Sequence, residues 1–258
     1  MVSVMPVAAR ERIAVVIPAF NEAGTIAEVA RRTRAQAQQV IVVDDGSSDG
    51  TGDRLAGLDV TVLRNSENLG KAMSLWRGMQ HAIAQGAEAI VTLDADGQHQ
   101  PEDIPQVLAA AQAQPNSIVI ASRLRKTEGA PPLRLFANRC ANFWISWAAG
   151  YYIPDSQSGF RFYPAELLKR VTPPQGRASC FAFESEVLID AAWKGVHSRP
   201  VTIDSLYFKA ARPSHYRPVL DTVRIVLMVA KRLLRRGMYP QGLWRALRAK
   251  HEHESVTR

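Results

Sequence analysis

The chain has 258 residues, of which 47% are apolar and 22% charged, a globular composition with ample material for a core. Its net charge of +8 is uneven: from residue 200 onward 12 Lys and Arg face 4 Asp and Glu, while the preceding residues balance. Two cysteines, Cys140 and Cys180, are too few for a disulfide framework, so reduced thiols and a cytosolic setting are expected.

The N-terminus lacks a charged segment followed by an apolar core, so no signal peptide is expected. No run of about 18 uncharged apolar residues occurs, so no simple membrane-spanning helix is expected. The basic last quarter suggests an anionic surface as partner, nucleic acid or membrane, with a solvated basic tail as the plainer alternative.

Arg12 to Pro18 is a short β-branched run closed by proline, which predicts a strand buried on both faces. Pro18-Ala19-Phe20-Asn21-Glu22 turns the chain into a helix over about 25–37. Gln39 to Asp45 predicts a second buried strand ending in paired acids, and Gly46 to Thr51 a turn and helix cap. A short third strand follows at 60–63, a helix at 71–85, and a strand over 90–93. Pro101 opens another helix, and Ser117 to Ala121 is a fifth strand. Such alternation implies a mostly parallel sheet with helices on both faces, whose ligands sit at the carboxyl ends of the strands.

The pivotal stretch is Ile90 to His99, in which Leu93-Asp94-Ala95-Asp96-Gly97-Gln98 closes an apolar run with two acids spaced i, i+2. On an extended strand both carboxylates, and then Gln98, point to one side. Two carboxylates and an amide oxygen are hard ligands suited to Mg²⁺ or Mn²⁺. The plainer alternative is an acidic turn capping the next helix. No Gly-x-Gly-x-x-Gly follows the first strand and no P-loop motif occurs, which argues against a dinucleotide dehydrogenase or a P-loop NTPase.

The second half differs in character. Arg134 to Gly150 is a helix carrying Phe136, Phe143, Trp144 and Trp147, read either as core or as an apolar acceptor groove or membrane-facing surface. Asp155 to Arg161 is a polar loop. Cys180 to Val187 begins a helix with Glu184 and Glu186 in its first turn, where the helix dipole alone would explain carboxylates. Val219 to Arg236 is a long amphipathic basic helix. Its apolar face is expected in a bilayer interface, with Arg232, Arg235 and Arg236 on headgroups, in preference to packing on the domain. Beyond Tyr239-Pro240 the tail is polar and basic, and poor order is expected near its end.

Taken in order, Val16 to Glu22, Val42 to Asp49, Asn68 to Lys71, Leu93 to His99, Ala121-Ser122-Arg123 and Asp155 to Arg161 resemble the motifs of family 2 glycosyltransferases of the GT-A fold. The likeness covers about residues 12–190 and is nearest to the polyprenol-phosphate, dolichol-phosphate mannose synthase-like branch. It implies an N-terminal arm at 1–11, a GT-A domain at 12–210 with a nucleotide-binding half (12–122) and an acceptor half (123–210), and a basic membrane-proximal helix and tail at 211–258.

By the same resemblance, Pro18, Phe20 and Glu22 contact the nucleotide, Asp44 and Asp45 read the base, and Lys71 lies near the nucleotide with Asp94. Asp94, Asp96 and Gln98 match the metal and diphosphate motif, for Mg²⁺ or Mn²⁺. Arg123 stands near the transferred sugar and the acceptor phosphate. Arg134 and Asn138 fall in the acceptor loop, where Asn138 replaces the usual serine. Ser214 and His215, flanked by Arg212 and Arg217, stand where relatives show other phosphate-holding residues.

The implied activity is inverting, metal-dependent transfer of a hexose from a GDP-mannose or UDP-glucose type donor to a membrane lipid carrier. A hydroxyl acceptor is the alternative. It would need a general base, Asp155 first and Glu184 second, whereas a lipid phosphate, with a second pKa of about 6, is already ionised. The protein would then work peripherally on the inner face of the cell membrane. A nucleic-acid partner is not expected, because the basic charge accompanies an apolar helix and no reader motif occurs.

Overall fold

The computed structural model describes residues 12–122, 132–174, 182–203 and 218–256. The order is β1 (Ile13–Ala19), α1 (Ile26–Arg34), β2 (Gln39–Asp44), β3 (Thr61–Arg64), α2 (Lys71–Ala84), β4 (Ala89–Thr92), α3 (Ile104–Ala113) and β5 (Ile118–Ser122). Then come α4 (Pro132–Ala149), β6 (Arg161–Pro164), the single turn α5 (Ala165–Leu168), α6 (Phe183–Trp193), β7 (Ser198–Thr202), α7 (Pro218–Arg235) and α8 (Pro240–Val256).

Seven strands form one sheet in the order β3-β2-β1-β4-β6-β5-β7. Pairs β1–β2, β1–β4, β2–β3 and β5–β7 are parallel, while β6 runs antiparallel to both β4 and β5. The chain winds outward from β1 to β3, then returns to the other side of β1 as β4. That reversal opens a crevice between the loops leaving β1 and β4, the place where open α/β sheets take their ligands.

Alternate residues of each central strand enter different cores, because successive strand side chains point to opposite faces. Val16, Val43, Ile90 and Ile120 pack under α2, α4, α6 and α7. Val15, Val42, Val91 and Val119 pack under α1 and α3. With helices on both faces, β1 and the stretches 40–43 of β2 and 89–91 of β4 are continuously apolar, which makes these strands plain in the sequence.

Two expectations are corrected in the last quarter. The buried face of α7, Ile225, Val229 and Leu233, packs on the domain against α4 rather than facing lipid. Arg232 likewise turns inward, binding Asp190 and lying 3.9 Å from Glu186 Oε1. Beyond Tyr239 the chain forms α8, whose Gly242 and Ala246 are buried and which packs on α4. Among the described residues no helix is long and apolar enough to cross a membrane.

Candidate active site

Loops after β1, β2 and β4 meet at the carboxyl edge of the sheet. Pro18 is buried within β1, and Asn21 adopts φ 56°, turning the chain so that Phe20 and Glu22 flank the crevice. This loop is laced to the one after β2: Asn21 N–H donates to Ser47 Oγ at 2.9 Å, and Glu22 N–H to Thr51 Oγ1 at 2.8 Å. Ala23 N–H donates to Asp49 Oδ2 at 3.0 Å.

Asp44 and Asp45 sit at the end of β2, almost wholly buried. Asp44 Oδ1 accepts from Ser47 N–H at 2.9 Å, and its Oδ2 lies 3.5 Å from Arg64 Nε. Asp45 Oδ1 accepts from Asn65 Nδ2 at 2.7 Å and Leu69 N–H at 2.9 Å, while Oδ2 accepts from Gly70 N–H at 2.8 Å. Three of the roughly four acceptor positions of a carboxylate are thus taken by the chain. Asp45 shapes the Asn65–Gly70 loop, and that loop delivers Lys71 to the start of α2.

Lys71 is the hub. Its Nζ lies 2.7 Å from Asp94 Oδ1 and 3.2 Å from Glu184 Oε2, with each of the three side chains a quarter exposed or less. One ammonium therefore serves two carboxylates from opposite halves of the chain. Burial opposes its charge, but Asp94 and Glu184 outweigh burial and hold it above the ordinary lysine value. Burial likewise opposes ionisation of Asp94, yet Lys71 and then His99 keep that carboxyl far below its usual range. His99 is buried, with Nε2 3.6 Å from Asp94 Oδ2 and its ring edge-on to Phe160 at 5.5 Å.

The strand expected to carry Asp94, Asp96 and Gln98 on one side stops at Thr92. The acids lie in a turn, with Gly97 at φ 72° and Gln98 N–H donating to Asp96 Oδ1 at 3.0 Å. The chain does not stay extended there. Glycine is needed because an L side chain rarely adopts that angle.

The loop before β6 closes over this turn. Gly159 lies against Asp94, its carbonyl accepting from Thr92 Oγ1 at 2.7 Å. Ser158 Oγ donates to Ala121 O at 2.7 Å. Fully buried Arg161 binds Ser158 O through Nε and Ser156 O through a terminal nitrogen, each at 2.7 Å, and Glu184 O at 2.8 Å. Asn142 on α4 donates to Pro154 O at 2.7 Å and accepts from Ser156 N–H at 2.9 Å. Arg161 and Asn142 are organising residues that the sequence reading missed; the visible signal for Arg161 was an arginine directly after Gly159-Phe160.

Asp155 lies in this loop, half-buried, its Oδ1 accepting from Gln157 N–H at 3.2 Å. Glu184 Oε1 is buried and lacks a hydrogen-bond partner, while Oε2 faces Lys71. Asn138 is half-buried on α4, one turn before Asn142. Arg123, Arg212, Ser214, His215 and Arg217 lie outside the described residues, as does the side chain of Arg134 at the start of α4.

Asp94, Asp96 and Gln98 offer only oxygen donors, the chemistry of Mg²⁺ or Mn²⁺, and such ions need few protein ligands when phosphates and water complete the shell. Among the described residues no three acidic, histidine or cysteine side chains are gathered closely enough to hold an ion by themselves. The donor set therefore fits an ion shared with a diphosphate rather than a closed protein cage.

A mostly parallel sheet with an antiparallel strand beside β4, and an acidic turn facing loops of two halves, is the arrangement of a GT-A glycosyltransferase. Residues 14–172 match the model of glycosyl transferase family 2, and the chain belongs to that family. It is 30% identical over 216 residues to a UDP-N-acetylglucosamine–dolichyl-phosphate N-acetylglucosaminyltransferase of Methanococcus voltae, covering 76% of this chain and 86% of that one. It is also 30% identical over 199 residues to the polyprenol monophosphomannose synthase of Mycolicibacterium smegmatis, covering 73% of each. In fold it is similar to glucosyl-3-phosphoglycerate synthase from Mycobacterium tuberculosis, crystallised with Mn²⁺, UDP and glucosyl-3-phosphoglycerate. There the TM-score is 0.63 at 20% identity, covering 89% of this chain and 81% of that chain.

Proposed function

We propose that this glycosyltransferase moves a hexose from a GDP-mannose or UDP-glucose type donor to a polyprenol-phosphate-like lipid carrier, with inversion. The observation that carries the reading is the Asp94–Lys71–Glu184 cluster in the crevice beside Asp96. The relatives named for dolichyl-phosphate and polyprenol-phosphate transfer support the acceptor class. Residues 12–122 then form the donor half and 123–210 the acceptor half, with 211–258 close to the membrane.

In this reading Pro18, Phe20 and Glu22 bound the nucleotide, and the loop pinned by Asp45 sets its depth. Asp94, Asp96 and Gln98 hold a divalent cation. That ion supplies Lewis-acid neutralisation of the departing diphosphate. Lys71 holds Asp94 in place and adds positive charge on the leaving-group side. The acceptor oxygen forms its bond to the anomeric carbon as the bond to diphosphate oxygen breaks, the electron pair leaving with the diphosphate. An ionised lipid phosphate brings no proton to remove, and Arg123, Arg134, Arg212 and Arg217, together with Asn138, Ser214 and His215, are assigned to position it.

One observation favours a second reading, transfer to a hydroxyl. Glu184 Oε1 is a buried carboxylate oxygen with no partner, the form a general base takes before substrate arrives. Asp155 is the other candidate. The test follows radiolabelled sugar from each donor into a polyprenol-phosphate fraction, with Asp96→Ala and a chelator as controls. Label in the lipid that disappears with either control supports the proposal. Undiminished transfer in chelator sinks the metal role, and transfer only to hydroxyl acceptors, lost in Glu184→Gln, moves the function to the second reading.

A further inference from the structure

Eleven large apolar side chains are exposed among the described residues, and nine of them lie on α4, α7, α8 or the turn joining the last two. Their spacing is helical. On α4, Leu133, Phe136 and Phe143 line one stripe, set to one side of the buried Ala137, Ala141 and Ala148. On α7, Val223, Leu227 and Leu234 form another, turned away from Ile225, Val229 and Leu233 in the core. Each helix is therefore apolar on two sides, and the fold explains only one of them. Exposed apolar stripes gathered on neighbouring elements mark an interaction surface.

α4 is tied to the turn between α7 and α8. Trp147 Nε1 donates to Met238 O at 3.1 Å and to Tyr239 O at 3.2 Å, and the Phe143 ring lies 6.1 Å from that of Trp147. The Arg236 guanidinium covers the Tyr239 ring at 4.1 Å and the Trp193 ring at 5.0 Å. On α8 Arg248 stands over exposed Trp244 at 5.6 Å.

Charge selects the partner. No acidic residue occurs between Asp221 and Glu252, a stretch that carries Lys231, Arg235, Arg236, Arg245 and Arg248. Asp221 itself is buried and bound to Arg224 at 3.2 Å. A nucleic-acid surface would have no use for Leu227 and Leu234, and an obligate apolar interface would not concentrate cations beside them. Tryptophan and aliphatic side chains bordered by Lys and Arg suit the headgroup layer of an anionic bilayer.

We propose that α4, α7 and α8 form one docking face that seats the enzyme on anionic phospholipid, with Leu227, Leu234 and Trp244 entering the headgroup layer. This deepens, and rests on, the lipid-carrier reading, because such seating brings the acceptor half to its substrate. It also replaces the expected mode of α7: the helix docks on the domain with one face and meets lipid with the other.

The test is co-sedimentation of the full chain with phosphatidylcholine vesicles and with vesicles containing about a third phosphatidylglycerol, without acceptor. Binding is expected only to the anionic vesicles, and should fall at least tenfold in 0.5 M salt, as screening requires. The Leu227→Gln/Leu234→Gln/Trp244→Gln variant should lose at least tenfold in partitioning while its donor hydrolysis in solution is unchanged. Equal binding by variant and parent would overturn the proposal. So would DNA binding without vesicle binding, or a salt-insensitive dimer in sedimentation that the triple variant abolishes. Lipid-phosphate transfer measured separately in detergent distinguishes failure of the docking face from failure of the acceptor assignment.

Discussion

Gly159 stands so close to Asp94 that a β carbon on it would lie 2.5 Å from Oδ2 and 2.9 Å from Cγ. No side chain fits there unless the carboxylate moves, and Asp94 is tied to Lys71. Gly159→Ala should therefore displace Asp94, reducing transfer at least tenfold and destabilising the fold by about 1–3 kcal/mol through overpacking. Steady-state turnover and a urea midpoint on the same preparation check it. Full turnover in the alanine variant would show that Asp94 need not hold its position.

Lys71→Met removes the shared cation and leaves two partly buried carboxylates facing one another. Breaking such a pair from one side destabilises by about 3 kcal/mol or more. Adding Glu184→Gln should recover part of that loss without restoring turnover. Thermal melts of both variants decide the matter: a double variant no more stable than Lys71→Met would mean the two acids do not depend on a common ammonium.

Asp45→Ala strips an acceptor from Asn65 Nδ2 and from the N–H groups of Leu69 and Gly70. Each buried donor left unpaired costs about 1–3 kcal/mol. The loop carrying Lys71 should loosen, so amide exchange over 65–71 should quicken and donor affinity should drop several-fold. Unchanged exchange there would mean the loop is held by other contacts.

Tyr163 predicts behaviour in alkali. Burial, with Glu184 adding to it and Arg161 opposing, pushes the phenol up to about 12. An unfolded chain loses this proton near its ordinary value of 10, while the native protein keeps it. The contribution to stability is thus complete below pH 10 and is lost as pH climbs to 12. Tyr163→Phe should remove about 2 kcal/mol of that decline. Urea midpoints from pH 8.5 to 11.5 test it, and equally steep alkaline loss in the variant would refute the assignment.

Much of the donor half was legible in sequence. Unbroken apolar runs such as Val15-Val16-Ile17 and Val40 to Val43 can satisfy only a strand covered on both faces, and the acids at their ends follow from topology. The acceptor half was not. β6 is four residues long with alternating burial, too short a signal to separate Arg161-Phe162-Tyr163-Pro164 from the loop before it. The ammonium shared by Asp94 and Glu184 joins residues far apart in the chain, which periodicity does not record. In α8 the polar composition concealed a helix whose Gly242 and Ala246 supply its buried contacts.

The antiparallel strand β6 also sets a schedule for synthesis. It lies between β4 and β5 but is made after both, pairing Ala89 with Pro164 and Val119 with Phe162. While a nascent chain has reached only β5, the inner edges of β4 and β5 remain open, presenting unpaired backbone to any other strand. Late closure of a non-local pair is slow and exposes the intermediate to aggregation. The segment that closes Gly159 over Asp94 is thus the same one that seals the sheet, so a ribosome-released fragment ending before it would be inactive and prone to self-association.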